Sequence, residues 1–238
     1  MAQLLVVQNG RSGGPGRFGD WLAEEGVTPD VVRAYAGAAL PHSLEPYRGV
    51  MVLGGGYLPD DDDRAPWLPR TRALVAEALG RGVPVFGICL GGQLLAQVAG
   101  GTVRGRSGTP EFGSTPLTVR AEAGTDPLFR GLPGRVTGIE HHVDAITALP
   151  AGAVWLMESA HCPYQAFRVG DRAWGVQFHP EADAERVRSW DPERLRAEGV
   201  DPGELRRTAE RDEPAATGVW HRVARRFAAV VRGGSPTG

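Results

Sequence analysis

A chain of 238 residues with 42% hydrophobic and 23% charged side chains can bury a sizeable core without disulfides or a structural metal. Its formal net charge of −2, with no basic run, argues against nucleic acid or an anionic membrane surface as the main partner. Two cysteines, Cys89 and Cys162, and an N-terminus without a basic flank or cleavage-like site lead us to expect a cytoplasmic, reducing setting. Every apolar run is too short to span a bilayer.

Short apolar runs ending in glycine alternate with longer amphipathic stretches, the pattern of a parallel α/β sheet. "LLVVQ" (4–8) predicts a buried strand and "GRFGDWLAEEG" (16–26) a helix stopped by Gly26. The next strands are expected at 31–36 ("VVRAYA"), 49–55 ("GVMVLGG") and 84–89 ("PVFGIC"). Before the last of these, Leu74, Val75, Ala78 and Leu79 have helical spacing, with Gly80 and Gly82 as stops. The acidic run Asp60–Asp63 reads as a solvated loop ahead of that helix, and a metal site built from it is not expected. "GQLLAQVAG" (92–100) predicts a helix starting immediately after Cys89. From about 115 to 180 the texture is strand-rich, and from about 183 onward it is helical and amphipathic.

Gly87-Ile88-Cys89-Leu90-Gly91 has the spacing G-x-C-x-G, the thiol counterpart of the G-x-S-x-G nucleophile elbow. A strand before it and a helix after it are the context that motif requires. A helix N-terminus favours a thiolate, and its free N–H groups can hold an oxyanion. The competing reading is a buried structural thiol in a Gly-rich turn. A thiol nucleophile needs a base, and the base needs an orienting group. "GVQFHPE" (175–181) offers both: His179 at a strand end, and Glu181 two residues on, close enough to fold back onto the imidazole. Both segments end strands, and ligands of open α/β sheets gather at carboxyl ends.

"PVFGICLGGQLLA" and "GVQFHPE" resemble the two signature blocks of class I (triad) glutamine amidotransferases. "VMVLGGG", "EFGSTPLTV", "CPYQAFRVG" and the helical tail extend the resemblance over most of the chain, toward the stand-alone branch related to the amidotransferase domain of GMP synthase. The resemblance implies a flavodoxin-like three-layer αβα sandwich with a mostly parallel central sheet. It also implies a single domain over residues 1–238 with a helical C-terminal extension at about 183–232. By the same resemblance, Cys89 attacks the γ-carbonyl of a glutaminyl group, His179 takes and returns the proton, and Glu181 orients His179. The oxyanion then falls to the N–H groups of Leu90 and of the "LGGG" turn, Gly55 or Gly56. Gln93 matches a position that helps bind glutamine, and Ser114, His142 and Asp144 lie in blocks that form the pocket rim.

Several rim positions depart from the family pattern. The chain reads Gly54-Gly55-Gly56 where relatives read G-G-P, and Ser114 stands where an aromatic is more usual. His142-Val143-Asp144 takes the place of H-G-D, and Asn9 that of a histidine. No P-loop is seen, so the expectation is either an ammonia-accepting synthetase partner or a free-standing hydrolase of γ-glutamyl amides. A catalytically silent binding subunit of the same fold is the rival from another class. No cofactor is expected. Gly14, Gly16 and Gly19 are read as the entry to a helix, because the second strand ends without the carboxylate that a dinucleotide site needs. His141, His142, Asp144 and His161 match no common zinc spacing, so no metal is expected from them, and Cys162 is read as a half-buried loop thiol.

Overall fold

The computed structural model of the chain describes residues 2–233. In β1 (Ala2–Gln8), Leu4 and Val6 face one way and Leu5 and Val7 the other, and all four are buried. A strand covered on both faces belongs inside a layered α/β protein. α1 (Gly16–Glu24), β2 (Val27–Arg33), β3 (Gly49–Val52), α2 (Leu68–Arg81), β4 (Val85–Ile88) and α3 (Leu90–Val98) follow. Next come β5 (Thr102–Arg104), β6 (Glu111–Val119), β7 (Arg135–His142), β8 (Ala145–Ala148), β9 (Val154–Glu158), β10 (Ala166–Val169) and β11 (Ala173–Val176). α4 (Ala184–Arg188), α5 (Pro192–Ala197) and α6 (Pro202–Val231) complete the described chain.

Nine strands form one sheet in the order β2-β1-β3-β4-β11-β10-β9-β6-β7. The pairings from β2 through β11 are parallel, and those from β11 to β7 are antiparallel. β5 and β8 pair separately. Phe18 and Leu22 of α1 join Trp220, Val223 and Phe227 of α6 in a core on one face. Leu74, Val75 and Ala78 of α2 join Leu90, Leu94 and Leu95 of α3 on the other. The result is a flavodoxin-like αβα sandwich whose mostly parallel half carries the helices on both sides. Among the described residues no helix is long and apolar enough to cross a membrane.

Two expectations change. The second strand spans Val27–Arg33 rather than 31–36, and Ala34–Ala36 is a short 3-10 turn. All seven β1 residues have partners there, from Ala2↔Val27 to Gln8↔Arg33. β2 is the sheet edge, where Thr28, Pro29 and Asp30 are tolerated because one side of the strand needs no ladder partner. The C-terminal helices are also more than an extension. α6 runs 30 residues, about 45 Å at the usual rise. It lays fully buried Trp220, Val223, Ala224 and Phe227 on the sheet, each large side chain contributing about 1.5–3 kcal/mol. The acidic run is the expected loop ahead of α2, in which Asp62 pairs with Arg72 and Asp61 with Arg64, both at 2.7 Å.

Candidate active site

β4 and β11 pair in parallel up to Ile88↔Val176, which brings their carboxyl ends side by side. Cys89 is the next residue after β4, and its N–H donates to Val176 O at 2.8 Å. The chain then turns sharply into α3, with Cys89 at φ 51° and ψ −108°. A non-glycine residue held there stores about 1–3 kcal/mol of backbone strain. The turn is feasible because its flanks carry no Cβ. A Cβ on Gly91 would sit 2.0 Å from Val52 O, and one on Gly87 would sit 2.4 Å from Gly91 O. Leu90 opens α3, so its N–H has no acceptor within the helix.

His179 lies three residues past β11, with its N–H donating to Ile139 O at 2.7 Å. Its Nδ1 is 2.7 Å from Glu181 Oε1, and the ring stands beside Cys89 across Gly54. Burial works to discharge this imidazole, but the Glu181 carboxylate and the Cys89 sulfur outweigh it and raise the His179 pKa well above the ordinary value. The His179–Pro180–Glu181 turn is fastened from outside. Arg17 Nε donates to Pro180 O at 3.0 Å, its guanidinium pairs with Glu213, and Glu213 Oε2 accepts from Ala184 N at 2.8 Å.

The glycine turn after β3 completes the setting, with a shift in emphasis. Gly54, which the sequence did not single out, is the one against the reacting groups. A Cβ there would meet His179 Cε1 at 2.8 Å and Cys89 Cβ at 3.5 Å. Gly55 packs against Asn9 and the Leu90 side chain, while at Gly56 a Cβ would meet nothing within 4 Å. Asn9, noted in the sequence only as a departure, holds this turn: its Nδ2 donates to Leu53 O at 2.7 Å and its Oδ1 accepts from Trp67 Nε1 at 2.9 Å.

The four expected substrate contacts divide. Gln93 is buried and donates through Nε2 to Asp144 O and to Gln177 Oε1, both at 3.1 Å; Gln177 Nε2 in turn lies 3.6 Å from Cys89 Sγ. His142 Nδ1 reaches the same Asp144 carbonyl at 3.1 Å. Gln93, His142 and Asp144 therefore meet around one backbone oxygen, while the Asp144 carboxylate accepts from Arg106 N at 2.8 Å. Ser114 is not with them: its hydroxyl donates to Asp212 of α6 at 2.8 Å. β6 faces the C-terminal helix at that position, so Ser114 serves the contact with α6.

Behind His142 lies a polar cluster that sequence reasoning missed. Glu111 Oε2 accepts from Gln165 Nε2 at 2.8 Å and from Ser159 Oγ at 3.0 Å, and lies 3.2 Å from His142 Nε2. Glu140 is wholly buried; burial first, and then the neighbouring Glu111, push its carboxyl well above the usual range. Cys162 is buried rather than half-buried, and burial together with Glu140 and Glu111 pushes its thiol up to about 12. The residues come from β6, β7 and the 159–165 loop, so no local spacing announces them. His141, by contrast, turns away and packs edge-on against Phe112 and Trp190.

A buried thiol on a strand-to-helix elbow, beside an imidazole gripped by a carboxylate, is the apparatus of an α/β cysteine acyl-transfer enzyme. The model of the class-I glutamine amidotransferase family matches residues 18–190, well over half of the sequence. The chain belongs to the class-I glutamine amidotransferase family. The chain is 38% identical over 160 residues to a GMP synthase (glutamine-hydrolyzing) of Aeropyrum pernix, covering 67% of this chain and 29% of that protein. It is 42% identical over 145 residues to that of Thermus thermophilus, covering 60% of this chain and 27% of that one. The chain thus spans under a third of the length of these curated relatives. A glutamine amidotransferase from Thermotoga maritima superposes with a TM-score of 0.85 at 28% identity, over 95% of this chain and 98% of that one. One from Methylobacillus flagellatus gives 0.83 at 29% identity, over 100% and 97%.

Proposed function

We propose that the chain hydrolyses the side-chain amide of glutamine, or of a γ-glutamyl compound, through a thioester on Cys89. The observation that carries this reading is the elbow thiol set beside an imidazole that Glu181 holds at 2.7 Å. Cys89 Sγ attacks the γ-carbonyl with the proton held on His179. The C–N bond then breaks as His179 returns that proton to the departing ammonia or amine. Water, giving its proton to His179, cleaves the thioester and releases glutamate and the free thiol. The tetrahedral oxyanion is held by the Leu90 N–H and by an N–H of the Gly54–Gly55 turn, the part of that turn packed against Cys89, His179 and Leu90.

In this reading the chain serves as the ammonia-donating part of a larger assembly with a synthetase partner. The named relatives are glutamine-hydrolyzing GMP synthases, and the matched region is a minor part of each. The test is direct: purified protein with glutamine should release glutamate and ammonia, and Cys89→Ala should abolish the release while the fold persists. Turnover of glutamine that survives Cys89→Ala would refute the mechanism. Turnover of γ-glutamyl amides in preference to glutamine would replace the ammonia-donor role with that of a free-standing hydrolase.

A further inference from the structure

The cluster behind His142 is an unusual one to leave inside a protein. Glu111, His142 and Cys162 present one ligand atom each, all within 4.8 Å of one another, and all three residues are buried. Their side chains supply carboxylate, imidazole and thiol, the donor types of a zinc site. His142 is oriented as a metal-binding imidazole is: Nδ1 lies 3.1 Å from the Asp144 carbonyl and, donating there, leaves Nε2 pointing into the cluster. Nε2 lies 3.2 Å from Glu111 Oε2 and 3.4 Å from Glu140 Oε2. An imidazole nitrogen set between two buried carboxyl groups is a place that a bound cation suits.

An independent sign lies in the unused oxygens. Glu140 is 0% exposed and neither of its carboxylate oxygens has a hydrogen-bond partner; Glu111 Oε1 has none either. A buried carboxyl oxygen without a partner is costly, and three such atoms on the two carboxyl groups beside His142 mark a place where a ligand belongs.

We propose that Glu111, His142 and Cys162 bind a divalent transition-metal ion of the zinc type, with Glu140 beside the ion. Binding displaces the Cys162 thiol proton to solvent and leaves an S–metal bond. Glu111 contributes one carboxylate oxygen. Ligand atoms of a tetrahedral zinc site lie about 3.5 Å apart, so side chains within 4.8 Å need close in by only about 1 Å. The ion would brace β6 against β7 and the Cys162 loop. It would not take part in the acyl transfer, because Cys89 and His179 are outside the ligand set.

The site is buried, so the ion must be offered as the chain folds. The full-length protein should be produced in zinc-supplemented medium and again with Co2+ as the only added transition metal. We expect about one metal per chain by elemental analysis after gel filtration, and in the cobalt form a near-ultraviolet cobalt–thiolate absorption band. Cys89→Ala should keep the band. Cys162→Ser should lose it, and Glu111→Gln or His142→Asn should lose at least tenfold in metal content. Metal far below one per chain in both preparations would overturn the proposal, as would a cobalt band that survives Cys162→Ser. Should a variant fail to fold, the wild-type band and metal count still decide the matter.

Discussion

Gly54→Ala isolates the closest approach in the site. The Gly54 backbone is outside the left-handed region, so alanine is admitted there without strain. The added methyl, however, would stand 2.8 Å from His179 Cε1, where ordinary contact begins at 3.4 Å, and 3.5 Å from Cys89 Cβ, which is ordinary contact. The imidazole therefore bears the whole displacement, roughly half an ångström or more. It cannot take it up freely, because Glu181 grips Nδ1 at 2.7 Å. Misplacing a reacting group by about 1 Å costs on the order of a hundredfold. We therefore expect kcat/KM for glutamine hydrolysis, or the rate of Cys89 alkylation by a glutamine-like diazo ketone, to fall about 10–100-fold, some 1.4–2.7 kcal/mol. The melting temperature should change little, since the clash falls on a single side chain at the cleft. A variant with wild-type alkylation and turnover would refute the placement of Gly54 against the base.

The Gly91→Ala variant differs in kind: its Cβ would be 2.0 Å from the Val52 carbonyl, which is backbone and cannot yield. It should be destabilised by about 3 kcal/mol or more, measured by denaturant titration. Arg17→Ala removes the bond to Pro180 O and leaves Glu213 without its cation, where the two side chains are 11% and 26% exposed. We expect a loss of about 1–3 kcal/mol in stability and a lower kcat with KM nearly unchanged, because the His179–Glu181 turn loosens while the cleft is intact. Because the folded His179 pKa lies above its unfolded value, its contribution to stability is fully present below about pH 6.5 and is lost as pH rises through the folded value. The stability gap between wild type and Glu181→Gln should accordingly be larger near pH ~6 than near pH ~10, as followed by chemical denaturation. A gap that widened with pH would contradict the imidazolium beside Glu181 and Cys89.

The sequence carried the parallel half of the fold because the information there is local. Buried strands such as Leu4–Val7 are continuous apolar runs, and Gly87 and Gly91 mark a turn that tolerates no Cβ. Cys89, His179 and Glu181 were legible for the same reason, since each sits in a block whose spacing states its geometry. The edge strand β2 was misplaced by several residues because exposure lets Thr28, Pro29 and Asp30 interrupt its apolar pattern. Gly54 was passed over in favour of Gly55 and Gly56 because three adjacent glycines are equivalent in sequence and are told apart only by what crosses over them. The cluster of Glu111, Glu140, His142 and Cys162 was invisible because it forms only when antiparallel pairing sets Glu111 opposite His142. Ser114 was misread for the converse reason. Its partner, Asp212, lies on a helix 98 residues further along the chain.

The central claim is that Cys89 is a reactive thiol facing a γ-glutamyl pocket and activated by His179. The most direct measurement is the intact mass of the protein after incubation with a glutamine-like diazo ketone, followed by peptide mapping. The account predicts one adduct per chain on Cys89, none on the buried Cys162, and an alkylation rate that drops sharply in His179→Ala. Labelling at another residue, or at Cys89 with a rate indifferent to His179 and unprotected by glutamine, would contradict it.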